Sequence, residues 1–385
     1  MKKLITFILI LLGLYFLFTV FAPPVLEKGM NKVTHTPPYS VSDKAQKIYA
    51  SLDFIGDLHT DSLLWKRDLS KKSDYGHVDI PRLREARVSL QAFTIVTKSP
   101  KGLNMHKNDA DARDDITLLS IGQAQPPRTW FSLIERALYQ SEKLHALAAK
   151  DENFRILKSA DDLLKYLSER QKNKDLTAGF LGIEGAHALE GQIENVDRLH
   201  AAGIRMMAAT HFFDNELGGS AHGISGEGLT DFGQQVVKRM DELGMIHDLA
   251  HISPSMIDDV LNLTTQPVLV SHTGVKGVLD SPRNLSDAHI KRIASNGGLI
   301  GIAFFPEAAG PKGTPDIVAS MKYVRDLVGI EHVALGSDYD GTVTTPFDVT
   351  GLPLLVDEML EQGFKEAEIR AVMGENMKRF LLENF

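Results

Sequence analysis

From residue 54 onward, short runs of apolar, β-prone residues alternate with longer segments whose apolar positions recur every three or four residues. This alternation marks repeated βα units feeding one parallel sheet. The pattern predicts strands at 54–58, 90–96, 178–183, 205–210, 245–249, 268–271, 299–303 and 333–336. Between them it predicts helices at 132–149, 160–170, 194–202, 230–243, 254–263, 286–295 and 315–328, with two closing helices at 352–362 and 365–382. Ser42 reads as the N-cap of a short helix before the first strand. Eight strands with helices between them is the number that closes a (β/α)8 TIM-type barrel, so the expected fold class is α/β. The later strands are apolar almost throughout, as expected of strands buried on both faces. The long stretch between the second and third strands carries helices of its own and reads as an excursion across one face.

The N-terminus follows a different pattern. Lys2 and Lys3 precede an uncharged apolar run over 4–22, which as a helix spans about 28 Å, close to the thickness of a bilayer's hydrocarbon. A cleaved signal peptide has a shorter apolar region and small residues before the cut. Val20 and Ala22 resemble such a site, but Pro23 and Pro24 follow and disfavour cleavage. The reading is therefore a retained signal anchor at 1–22, a polar tether at 23–41 and one barrel domain at 42–385. The lysines are expected to stay in the cytoplasm, which implies a single-pass cell-membrane protein with the barrel domain in the periplasm or outside.

Composition narrows the chemistry. A net charge of -8 argues against nucleic acid or an anionic membrane surface as the main partner. Lys66, Arg67, Lys71 and Lys72 form the nearest thing to a basic cluster and read as a solvated face. The chain has no cysteine, which excludes disulfides, thiolate metal ligands and a Cys nucleophile. Any metal must be held by His, Asp and Glu.

Those residue types collect at one kind of position. The first strand runs into His59-Thr60-Asp61, the third ends at Glu184, the fourth at His211 and the sixth at His272. The fifth is followed within two residues by His251, and the eighth leads into Asp338. Seven metal-competent or acid–base residues thus follow six strands, on the rim where such barrels carry their active sites. Singly, each has a plainer explanation: a surface His-x-Asp is common, and a carboxylate such as Glu184 also suits a helix N-terminus. His247 and His251 have the spacing of a zinc-protease helix, but the general-base Glu is missing and the context is a strand. His251 is the expected ligand and His247 a packed neighbour. The glycine-flanked His187 and His222 are weaker cleft candidates. His35, His77, His106, His145, His200, His289 and His332 are expected to be solvated or structural. No G-x-S-x-G elbow is present, and the pattern Gly336-x-x-x-x-Gly341 lacks the Lys-Ser/Thr of a phosphate loop.

The chain resembles the membrane (renal) dipeptidases, zinc-dependent members of the amidohydrolase-like barrels. The blocks that carry the resemblance are Gly56-Asp-Leu-His-Thr-Asp61, Gly182-Ile-Glu-Gly-Ala-His187, Thr210-His-Phe-Phe-Asp-Asn215, Asp248-Leu-Ala-His-Ile-Ser253, Ser271-His-Thr273, Arg283-Asn284 and Gly336-Ser-Asp-Tyr-Asp-Gly341. They come in family order, and the His-x-Asp opening separates this family from relatives that open with His-x-His. The resemblance implies two zinc ions per chain: His59 and Asp61 on one, His251 and His272 on the other, and Glu184 bridging both. It implies that His211 contacts substrate near the scissile carbonyl, that Arg283 and Asn284 hold the substrate's terminal carboxylate, and that Asp338 handles protons. The expected activity is hydrolysis of dipeptides with a free C-terminal carboxylate by a zinc-bridged hydroxide. The alternatives are another binuclear metal hydrolase (a lactonase, a deaminase or an N-acyl amino acid hydrolase) or an anchored binding protein with a dead site. A homodimer is expected by resemblance, but without cysteine it has no disulfide, and the hydrophobic anchor lies at the N-terminus rather than the C-terminus.

Overall fold

A computed structural model describes residues 1–385. All eight expected strands form: β1 Gly56–Asp57, β2 Leu90–Phe93, β3 Thr177–Ile183, β4 Ile204–Ala208, β5 Ile246–Asp248, β6 Leu269–Thr273, β7 Leu299–Ile302 and β8 Val333–Leu335. Every neighbouring pair is parallel. The sheet closes on itself, with Asp57 of β1 opposite Leu335 of β8 and Leu90 of β2 opposite Ala178 of β3. This is a closed (β/α)8 barrel. The hydrophobic pattern missed the strand Phe154–Ile156, which pairs onto the first half of β3. With three residues and one fully buried side chain, it is too short to show a period.

Helices start where the polar pattern placed them. Ser42, Ser132, Thr230, Ser253 and Ser286 each accept a backbone N–H from the residue three positions on, which satisfies a donor that the first helical turn leaves free. The last expected helix is broken. It runs over Glu366–Arg370, widens over Ala371–Glu375 and resumes at Asn376–Asn384. A β-carbon at Gly374 would lie 2.7 Å from the Phe54 carbonyl oxygen, so bare backbone there lets the helix seat against the start of β1.

The expected tether is not a loose linker. One helix runs over Lys2–Met30, through Pro23 and Pro24, and is long and apolar enough to cross a membrane. Beyond it, Lys32–Val33 pairs in parallel with Thr344–Thr345, and the Tyr39 hydroxyl bonds Asp348. The cause is a buried ion network that polarity alone does not reveal. Arg67 Nε lies 2.7 Å from Glu27 Oε1, and Arg67 Nη2 lies 2.7 Å from Asp340 Oδ2. Arg67 therefore does not belong to a solvated basic face. Lys66 donates to the Thr19 carbonyl at 2.8 Å. Lys66 is itself exposed, and Lys71 and Lys72 stay in solvent, paired with Asp68 and Glu85.

Two glycines bring the barrel wall close to the future site. A β-carbon at Gly336 would lie 2.0 Å from the Ser271 carbonyl oxygen, and one at Gly301 would lie 2.3 Å from the same atom. Neighbouring strands can meet at Ser271 only because neither carries a side chain. Gly336→Ala is expected to lower stability by about 1–3 kcal/mol, the usual range for overpacking a filled core, read as a lower denaturant midpoint. An unchanged midpoint would show that the wall has slack.

Candidate metal centre and cleft

The barrel delivers its polar residues to one rim. Glu184 follows β3 directly, and His272 is the penultimate residue of β6 rather than the residue after it. His59, Asp61, His211, His251 and Asp338 stand in the loops just past β1, β4, β5 and β8. His251 and Asp338 hold left-handed backbone, with φ of 63° and 61°. Only a few per cent of non-glycine residues adopt that conformation, Asn, Asp and His the most readily, and it costs free energy that sites of function often carry.

Glu184 is the hub. Its Oε1 lies 2.9 Å from His251 Nε2 and 3.3 Å from His272 Nε2, while its Oε2 lies 3.3 Å from His211 Nε2 and 3.7 Å from His59 Nε2. His59 Nε2 is also 3.4 Å from Asp61 Oδ1 and 3.8 Å from Asp338 Oδ1. Three overlapping groups result: His59 with Glu184 and His272, Glu184 with His211 and His251, and His59 with Asp61 and Asp338. All of these residues are buried.

Several observations fit this set to metal ions. His251 Nε2 faces His272 Nε2 at 2.9 Å, two ring nitrogens whose lone pairs point at one place. His59 Nε2 and Glu184 Oε1 are buried without a hydrogen-bond partner, which is costly unless something else satisfies them. Behind the rings, Ser271 Oγ lies 2.9 Å from His59 Nδ1 and 3.0 Å from His272 Nδ1. A hydroxyl oxygen can accept from both ring N–H groups, fixing the tautomers that leave each Nε2 free to bind a cation. Thr94 donates to Asp61 Oδ1 at 2.7 Å. Imidazole with carboxylate is a donor set that zinc favours.

Burial and charge pull the titrations apart. Burial alone would raise Glu184, but His211, His59 and His251 outweigh it and hold the carboxyl well below its usual range. Asp338 goes the other way: burial raises it well above the ordinary value, Asp61 and Glu184 add to the rise, and His59 and Arg283 only partly oppose it. Burial keeps His251 and His272 neutral, the form that can bind a metal.

A cavity of about 440 Å³ opens over these groups and is lined by Asp61, Glu184, His211, His251, Arg283 and Asp338. The Arg283 guanidinium lies over the Phe305 ring at 4.9 Å, donates from Nη2 to the His272 carbonyl and leaves Nε without a partner. The adjacent Asn284 does not reach the cleft. Its amide donates to the Leu279 and Ala308 carbonyls and accepts from the Gly274 N–H. Both ends of the side chain are committed to folding the loop that carries Arg283, so the expected contact of Asn284 with substrate is corrected to a structural one.

Comparison with known proteins gives the family. The model of the membrane dipeptidase family, Peptidase family M19, matches residues 42–384. The chain belongs to that family. A dipeptidase aclJ from Aspergillus oryzae is 27% identical over 84% of this chain and 76% of its own length. Two solved structures share the fold of this M19 chain. A metallopeptidase from Rhodobacter sphaeroides bound to a phosphinate mimic of L-Ala-D-Ala matches with a TM-score of 0.68 at 23% identity, covering 86% of this chain and 99% of that one. The probable dipeptidase PvdM from Pseudomonas aeruginosa matches with a TM-score of 0.72 at 19% identity, covering 88% and 97%.

The sequence did not single out Ser271, Thr94 or Asp340. Ser271 stands next to a recognised histidine, which was its one visible signal. Thr94 follows a strand with no ligand of its own. His77 bonds the Asp340 N–H and the Lys32 carbonyl, a structural role as expected. His247 is packed against Asp241, with Nε2 2.6 Å from Oδ1.

His222 gives a pH prediction. Its Nδ1 meets the Met105 carbonyl at 2.9 Å, its Nε2 is buried without a partner, and burial lowers its pKa from 6.5 to about 3. The folded state thus keeps this ring neutral while the unfolded state protonates below 6.5, so its contribution falls as the pH drops from there toward 3. In chelated protein, His222→Gln should cut the stability lost between pH 6.5 and pH 5 by about 2 kcal/mol. Urea midpoints at the two pH values measure it, and equal losses in both proteins would refute it.

Proposed function

We propose that this chain is a membrane-anchored metallo-dipeptidase that acts outside the cytoplasm on dipeptides with a free C-terminal carboxylate. One observation carries the reading: Glu184 turns Oε1 to His251 and His272 and Oε2 to His59 and His211, with Asp61 beside His59, in a cleft that also presents Asp338 and Arg283. The family match and the dipeptidase relative support peptide hydrolysis, and the phosphinate-bound relative supports a dipeptide-sized ligand.

The ligand residues fit two zinc ions, which when bound supply an acidified water and Lewis acidity toward the peptide carbonyl. The chain's own groups do the rest. Arg283 offers a rigid fork, buried and stacked on Phe305, to the substrate carboxylate, a geometry that lysine does not reproduce. Anchoring that carboxylate beside the metal ligands fixes the peptide bond over Glu184 and leaves little room for a longer C-terminal extension. Asp338, 3.8 Å from His59 and facing the cleft, accepts the proton of the attacking water and returns it to the departing amine. His211 Nε2 points at Glu184 from the cleft wall, beside the position of the reacting carbonyl. The N-terminal helix fits an anchor that leaves the barrel on the outer side, with Lys2 and Lys3 inside.

A panel of L,L and L,D dipeptides, dipeptide amides, N-acyl amino acids and lactones, assayed with and without chelator, tests the reading. Dipeptides should be hydrolysed, dipeptide amides poorly, and chelator should abolish the activity. Preference for lactones or N-acyl substrates would assign the site to another metal hydrolase. Asp338→Asn should retain its metal and lose turnover by about 10²–10⁴-fold, the usual share of general acid–base catalysis. Arg283→Ala should act mainly by raising KM for dipeptides. Normal turnover by Asp338→Asn would remove the proton-transfer role.

A further inference from the structure

The anchor helix is fixed to the catalytic domain along one face. Thr19, Pro23 and Glu27 recur every fourth residue and are buried. Glu27, 1% exposed, pairs with Arg67. Lys66 donates to the Thr19 carbonyl. Further up the helix, the Tyr15 hydroxyl donates to the Ile121 carbonyl at 2.8 Å, and the Phe18 ring lies against Gly122, where a β-carbon would be 3.3 Å away.

These contacts set a depth. With the apolar run ending at Ala22, Phe18 and Tyr15 lie about 6 Å and 10 Å further along the helix axis toward the membrane interior. The end of the helix Asp115–Gly122 is therefore held beside lipid-facing turns of the anchor, at the 5–10 Å to which interfacial apolar surface is buried. What that region shows to its surroundings is apolar at Leu118 and Phe131, while the exposed Arg128 in the same turn is paired with Glu135 and Glu142. Leu118, one turn before Ile121 and Gly122, is 55% exposed, and Phe131 is 82% exposed. The helix carries no basic residue, and its acidic residue is at its start. The turn before Phe131 belongs to the same unit, because buried Arg136 donates to the Thr129 and Trp130 carbonyls and to Thr117 Oγ1. Trp130 caps its own indole N–H on the Gln125 carbonyl, so its polar end needs no water.

We propose that the helix Asp115–Gly122 and the turn ending at Phe131 form a foot that inserts into the outer leaflet beside the anchor, with Leu118 and Phe131 among the acyl chains. The proposal rests on the reading of 4–22 as a retained membrane helix. Its consequence is positional. Ile116, on the same helix, lines the cleft, so the foot holds the cleft mouth one helix away from the lipid surface and fixes its orientation, instead of letting the barrel swing on a tether.

The natural chain has no cysteine, so a single introduced thiol carries a unique label. Leu118→Cys, Phe131→Cys and Leu164→Cys, each in the full chain, are labelled with an environment-sensitive fluorophore and reconstituted in phosphatidylcholine–phosphatidylglycerol vesicles containing spin-labelled quencher lipid. Leu164 is 55% exposed on the helix Ala160–Lys172, whose Tyr166 bonds the Ser89 carbonyl before β2, on the opposite barrel rim. Dipeptidase activity of each labelled protein confirms its fold. The expected result is severalfold stronger quenching by the lipid at 118 and 131 than at 164, with blue-shifted emission. Equal quenching at all three positions overturns the foot. So does shielding of 118 and 131 from both lipid and aqueous quenchers, which would mean that a second copy covers the face. Flotation of the vesicles tests the anchor separately: protein that fails to float removes the anchor reading and the foot with it, whereas floating protein with unquenched 118 and 131 removes the foot alone.

Discussion

A buried carboxylate ringed by imidazoles is the constraint around which this molecule is arranged. Glu184 has 2% of its surface exposed and no basic side chain within ion-pair reach other than histidine. Burying a charge without compensation is strongly unfavourable, so the four histidines must come close, and they approach from four different loops or strands. Their free nitrogens meet Glu184 and each other rather than other protein donors. Packed this way, the groups are costly for the fold alone and well suited to cations, which satisfy all the lone pairs at once.

The scaffold meets that demand by fixing the backs of the ligands. Ser271 reaches His59 and His272, Thr94 holds Asp61, and the Asp248 carboxylate accepts the Ser271 N–H at 2.8 Å. Gly301 and Gly336 let adjoining strands crowd the Ser271 carbonyl, so a missing side chain in the wall sets the spacing of the ligands above it. On the other side, Asp340 accepts hydrogen bonds from Ser62, Arg67 and the His77 N–H. The loops bearing Asp61 and Asp338 are joined to each other and, through Arg67, to Glu27 on the N-terminal helix. The N-terminal helix and the rim that carries these groups form one connected structure.

How much of this could be read in advance differed by type of interaction. The barrel strands were legible because strands buried on both faces are apolar throughout, and the clustered rim residues were legible because a His or carboxylate at the end of such a run contradicts its surroundings. Asn284 misled because its neighbour Arg283 lines the cleft, while its own amide is used up by loop carbonyls that the sequence cannot place beside it. Arg67 misled because basic residues close in sequence look like a solvated patch unless their distant acidic partners, Glu27 and Asp340, are known. The polar composition of 23–41 suggested a tether for the same reason. Phe154–Ile156 was too short to show any period.

The amino-acid sequence by itself determined the periodic pattern, the eight strands, the polar residues at their ends and, through the total lack of cysteine, a metal site made only of His, Asp and Glu. These are local properties: burial on one or two faces of an element leaves its mark on consecutive residues. Tertiary structure alone decided that Glu184 faces four imidazoles, that one serine hydroxyl orients two of them, that Asn284 turns away from the cleft and that the N-terminal helix is clamped to the barrel. Each of these depends on the meeting of groups tens to hundreds of residues apart, set by strand closure and side-chain packing, and such meetings leave no period in the chain.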